Sequence, residues 1–156
     1  MAKPVVIIKS MEDYPAELDR TLVAAYLRAI YRILAPPADV QVGSSQPLLE
    51  QQPAYRSAQT FAFLTAANPG SAVLTGPENA ARQAALLEAL LPLTPLQPAP
   101  AVHLSPEDDW PPEPAWWAPG LAASDAVRLA RSFGQNALVF WRQGGEVELW
   151  WVKNKG

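Results

Sequence analysis

The chain has 156 residues, 49% of them hydrophobic and 17% charged, with a formal net charge of −3. This is a globular composition, long enough for one domain with a proper core, and its charge balance gives no support to a basic groove for nucleic acid. It has no cysteine and one histidine, His103; disulfides, thiolate chemistry and a multi-histidine metal site within one chain are therefore excluded, and no metal is expected.

The N-terminal stretch has only a short apolar run from Pro4 before charges appear. It is too short for a signal peptide or a membrane span, so a cytoplasmic location without membrane contact is expected. Pro4 to Lys9 is β-branched and reads as a first strand. Pro15 to Arg28 is helical in pattern, with Leu18, Leu22 and Ala25 on one stripe. Ala29–Leu34 turns at Ala35-Pro36-Pro37-Ala38 into Asp39–Gly43, which predicts a hairpin-like pair. A short helix over Pro47–Gln52 follows. Thr60 to Ala66 is apolar on both faces and reads as a central strand.

Thr75-Gly76-Pro77-Glu78 is a capping box: the Thr75 hydroxyl accepts from the Glu78 N–H, and the Glu78 carboxylate reaches back. The helix it opens runs to about Leu91, with Ala80, Ala84, Leu87 and Leu91 as the expected core stripe. Pro92 to Pro119 holds nine of the 17 prolines, which rules out a long helix. Gln97–Leu104 and Pro114–Ala118 are extended, as edge strands or loops. Ser124 caps a last helix, with Ala126, Leu129, Ala130 and Phe133 inward and Gly134 just past its end. Asn136–Arg142 and Glu146–Val152 form a hairpin around Gly144-Gly145. The sum is one α+β domain over 1–156: a single mixed, largely antiparallel sheet with three to four packed helices. Within it lie an N-terminal strand and helix (4–28) and a C-terminal hairpin (136–152).

AYLRAIYRI, VGSSQPLLE, FLTAANPGS, ENAARQAAL, W-PPE and GLAASDAVRLARSFGQNALVFW occur in that order. This series resembles a bacterial family described as domain of unknown function 3293, over about residues 22–141. The resemblance implies the same layout and marks the same polar positions; it implies no activity. Where the family shows Glu-x-Ser, this chain has Glu113-Pro114-Ala115.

The candidate site lies where the central strand ends and the capped helix begins, residues 65–82. Asn68 and Ser71 sit in a tight turn whose amides suit a polar or anionic ligand, or simply satisfy their own backbone. Asn79 and Arg82, three apart on one helix side, form a row with Leu86 distinct from the core stripe. They either clamp an anion or, for Arg82, pair with Glu78 or tie down the Asn68–Ser71 loop. Glu107, Asp108, Asp109 and Glu113 are an acidic cluster best read as a solvated loop. Glu113, between Trp110 and Trp116, has a raised pKa if buried, which suits a general acid or base. Gln135 and Asn136 either stitch a helix end to neighbouring backbone or face the same cleft as Asn68. His103 is read as a surface or satisfied core residue. Adjacent strand side chains face opposite ways, so Trp116-Trp117 and Trp150-Trp151 should each leave one ring exposed.

Three functions follow. The first is a small polar or anionic metabolite bound by Asn68, Ser71, Asn79, Arg82, Glu113, Gln135 and Asn136. The second is a protein-interaction or homodimer module using exposed tryptophans. The third is a hydrolase-like enzyme with Glu113 as acid/base. No cofactor fingerprint is present, and no cofactor is expected.

Overall fold

The computed structural model describes residues 5–107 and 110–153. Pro4 of the first expected strand, and Asp108 and Asp109 of the acidic cluster, lie outside the described residues. Eight strands build one sheet: β1 (Val6–Ile8), β2 (Ile30–Leu34), β3 (Pro37–Val40), β4 (Thr60–Leu64), β5 (Ala99–Leu104), β6 (Glu113–Trp117), β7 (Ala137–Arg142) and β8 (Glu148–Trp151). Their order is β1-β8-β7-β4-β6-β5-β2-β3, and every pairing is antiparallel. Among the described residues, four α-helices pack on it: α1 (Arg20–Arg28), α2 (Pro47–Glu50), α3 (Gly76–Leu90) and α4 (Ala123–Ser132).

Strand alternation sorts the core into two layers. Phe61 and Phe63 of β4 join Tyr31, Trp117, Trp141 and Trp151 on the face covered by α1 and α2. Ala62 and Leu64 join Phe140, Trp150 and the inner faces of α3 and α4 on the other. Helices on both faces cover the middle of the sheet, while Leu34 and Asp39 on β2 and β3 stay exposed. Trp117 is fully buried, Trp150 and Trp151 are 7% and 6% exposed, and Trp116 is half-buried, donating Nε1–H to the Gln83 carbonyl at 2.9 Å. The expectation of one exposed ring in each tryptophan pair therefore does not hold. The large exposed hydrophobics among the described residues are Ile7, Leu34, Leu48, Val73 and Leu91.

Four boundary or facing expectations are corrected. First, α1 begins at Arg20, not Pro15, because Asp19 Oδ1 accepts from Leu22 N at 3.0 Å and caps it. Second, α4 starts after Ala122, which makes no side-chain cap, so Ser124 lies within the first turn rather than at the cap. Third, β5 and β6 are interior, not edge, strands. Their prolines fit because each strand is paired on one side only at that point. Pairing of β5 with β2 reaches only Ala101, leaving Pro100 beyond it; pairing of β6 with β4 covers only Trp116 and Trp117, leaving Pro114 beyond it. Fourth, the buried stripe of α3 is Gln83, Leu86 and Leu90. Ala80, Ala84 and Leu91 are exposed, so the helix is turned by about one residue from the expected facing. Alanines cost little to expose, and the polar partners described below determine the rotation.

The capping box is present in full: Glu78 N–H donates to Thr75 Oγ1 at 3.2 Å and Thr75 N–H to Glu78 Oε1 at 3.2 Å. Gly134, at φ +72°, occupies the left-handed position after α4. No helix among the described residues is long and apolar enough to cross a membrane.

Candidate functional site

The backbone after β4 leaves the sheet and must find hydrogen bonds elsewhere. Side chains of α3 supply several. Gln83 Oε1 accepts from Ala66 N at 2.7 Å. Arg82 Nε donates to the Ala66 carbonyl at 2.6 Å, and its Nη2 donates to the Phe133 carbonyl. Asn79 Oδ1 accepts from Asn68 N, and its Nδ2 donates to Asn68 Oδ1, both at 2.9 Å. The row Asn79, Arg82, Leu86 is thus an inward row, not one separate from the core. Of the roles open to Arg82, tying down the loop is the one realised. Glu78 takes part in the capping box.

From the other side, Gln135 Nε2 donates to the Ala67 carbonyl at 3.0 Å, and Gly70 N to the Gly134 carbonyl at 2.8 Å. Held at both ends, the turn carries two non-glycine residues in left-handed backbone, Asn68 at φ +46° and Ser71 at φ +66°. Such conformations are costly and persist where the surroundings over-determine them. The consequence is the aim of Asn68. Its Oδ1 accepts from Leu74 N at 2.9 Å, while its Nδ2 reaches Glu113 Oε2 at 2.7 Å.

Glu113 opens β6, directly across from His103 on β5. Trp110 Nε1–H donates to the same oxygen, Oε2, at 3.0 Å. Burial raises the carboxyl's pKa above its ordinary value, and the two donors pull against that shift. His103 is half-buried as a residue, but its Nε2 is sealed from water without a hydrogen-bond partner among the described residues. Desolvation lowers its pKa to about 3, so the imidazole is neutral at physiological pH. The ring stands edge-on to Tyr31, with centroids 4.7 Å apart.

These groups border a cavity of about 170 Å³ that opens to solvent between α1 and the ends of β5 and β6. Four of the seven anticipated residues line it: Asn68, Ser71, Glu113 and Gln135. Asn79, Arg82 and Asn136 do not. Asn79 and Arg82 lie behind the turn and support it. Asn136 is buried, its Nδ2 donating to Ser71 Oγ at 3.0 Å and approaching Tyr26 Oη at 3.4 Å. The remaining wall includes Leu22, Ala25, Tyr26, Tyr31, His103 and Trp110. Tyr26 follows Leu22 by four residues on α1, the spacing of one helix face. His103 and Glu113 each fall in phase with the buried Ala101 and Ala115, so strand alternation carries a signal for both. Nothing in the sequence brings α1 to the end of β5. No lysine or arginine is among the described residues lining the cavity.

The fold and the cavity define an α+β domain with a small, ring-walled hollow at one end of its sheet and a polar corner held by a strained turn. Residues 64–138 match the model of the family described as Protein of unknown function (DUF3293), the family that the spaced motifs resemble. The matched segment contains the whole polar corner from Asn68 to Asn136, and neither Tyr26 nor Tyr31. No curated protein and no solved structure matches the chain.

Proposed function

We propose that this domain binds a small molecule in the cavity between α1 and β5–β6, with a polar head at Asn68 and Glu113 and a mainly apolar body against Tyr26, Tyr31 and Trp110. One observation carries the reading: Asn68, Ser71, Glu113 and Gln135, from separate stretches, meet aromatic side chains around one solvent-reachable hollow. A mostly apolar pocket with a few converging polar groups is the usual form of a ligand site. At about 170 Å³, it lies below the roughly 300–1,000 Å³ of sites for drug-sized ligands, which points to a small ligand. An anionic ligand is less well served than a neutral or cationic one. Arg82, the guanidinium nearest the turn, is committed to two carbonyls, and Glu113 would face the incoming charge.

The hydrolytic alternative retains Glu113 as an acid/base group. Ser71 does not serve it as an activated nucleophile, since its Oγ faces Asn136 and Tyr26 rather than a carboxylate or imidazole. The interaction-module reading loses its exposed tryptophans.

The test is occlusion. Ala25 lines the cavity from an exposed position on α1, so Ala25→Trp should fill the hollow at little cost to the fold. Fragments of fewer than about ten heavy atoms, screened by ligand-observed NMR, are expected to yield binders that the wild type holds and Ala25→Trp releases. Binders held equally by both proteins would place binding elsewhere and end the proposal, as would a screen with no binders.

A further inference from the structure

Among the described residues, the cavity is lined by one carboxylate and no counter-charge. Both internal donors converge on Oε2 of Glu113, and its Oε1 has no partner among the described residues. Directly across the β5–β6 register, His103 lines the same cavity with its Nε2 sealed from solvent. Cross-strand neighbours on one face have Cβ atoms about 4.5–5.5 Å apart, so this ring stands beside the carboxylate. The arginines of α1 and α3 that approach this region are occupied, Arg28 by Glu107 at 3.3 Å and Arg82 by backbone carbonyls.

A carboxylate sunk among rings is expensive until something positive meets it, and hydrogen-bond donors must come with that charge. A primary ammonium supplies both. Its N–H reaches Glu113 Oε1. The alkyl or aryl body lies on the aromatic wall, where ring faces also favour a cation. A carboxylate ligand would be repelled, and a carbonyl has no donor for Oε1. Resting on the cavity being the binding site, we infer that its ligand is a small amine, bound as the ammonium ion at Glu113. Burial keeps His103 neutral, so it adds no positive charge beside the carboxylate.

The experiment varies the head on two constant bodies. Isopentylamine, isopentanol and isovalerate form one series; benzylamine, benzyl alcohol and benzoate form the other. Each is titrated calorimetrically into the wild type at pH 7 and low salt. The amine is expected to bind at least about tenfold more tightly than its alcohol, with no measurable binding of the carboxylate. N,N,N-trimethylation, which keeps the charge but removes every N–H donor, should weaken the amine by about tenfold or more. This arm needs no variant and does not depend on a mutant folding. Glu113→Gln should remove the amine preference while leaving the alcohol within about twofold.

Alcohols that match amines, or trimethylammonium compounds that match the amines, would overturn the amine inference and leave the cavity as the ligand site. If none of the six compounds binds, the amine inference falls; the cavity reading is then decided by its own occlusion screen.

Discussion

Arg82 is the residue whose role changes most between sequence and structure. A guanidinium three residues from an asparagine looks like an anion clamp, yet its Nε and Nη2 reach the carbonyls of Ala66 and Phe133. It joins the end of β4 to the end of α4. Arg82→Ala is expected to lower unfolding free energy by about 2–4 kcal/mol, because two charge-assisted hydrogen bonds to part-buried carbonyls are lost. Arg82→Lys should recover less than half of this, since a single ammonium does not reproduce the planar fork. Urea unfolding of the two variants measures both effects. A neutral Arg82→Ala would mean that the carbonyls find other partners. Glu113 makes a second prediction at this scale. Burial raises its folded pKa above the ordinary value of 4.5. Its contribution to stability is present below that ordinary value and is lost as pH rises through the raised one. Glu113→Gln removes the dependence, so the variant's stability relative to wild type should rise between pH 4 and pH 7. His103 acts in the opposite sense, losing stability as pH falls from 6.5 toward its folded value of about 3. Because it is common to both proteins, the comparison cancels it.

Among the elements, those whose signal is local were legible from the residues. The capping box of α3, the glycine hairpin of β7 and β8, and the apolar run of β4 need only near neighbours to form. The facing of α3 was not legible, because alanine carries too little transfer free energy to orient a helix, whereas Gln83, Arg82 and Asn79 must each satisfy backbone some ten or more residues away. The interior place of β5 and β6 was hidden for a similar reason. A proline forbids a donor, but which side lacks a partner strand is a property of the assembled sheet. The tryptophan pairs were misjudged because alternation gives two faces but not what covers them. Of the candidate site, the polar corner was visible as loop chemistry. The aromatic wall was not, since α1 reaches it only through tertiary packing. Glu50 on α2, also missed, is buried with Oε2 accepting from Trp141 Nε1 and Oε1 from Gly144 N, both at 2.9 Å. It pins the short helix to the β7–β8 turn. Glu50→Ala strands two donors and should cost about 2–4 kcal/mol, against about 1 kcal/mol for Thr75→Ala at the exposed cap of α3. Denaturation midpoints that reverse this ranking would disprove it.

At the scale of the molecule, order in the sheet predicts order in opening. β4 and β7 are interior, paired on both sides and buried on both faces, while β1 and β3 are the edges. Hydrogen exchange should find the slowest amides in β4 and β7, at the global unfolding free energy, and the fastest strand amides in β1 and β3. Equal protection across the sheet would mean that the edges do not open independently.

The hollow is assembled from two distant parts of the chain. Asn68, Ser71, Glu113 and Gln135 stand within the matched segment 64–138, whereas Leu22, Ala25, Tyr26 and Tyr31 come from before it. Under the proposed function, the grip on a ligand's head and, Trp110 apart, the mould for its tail are therefore separable by mutation. Changes confined to residues 22–31 would then retune which tail is accepted while the anchoring chemistry stays in place, so selectivity could drift without the recognition principle being rebuilt.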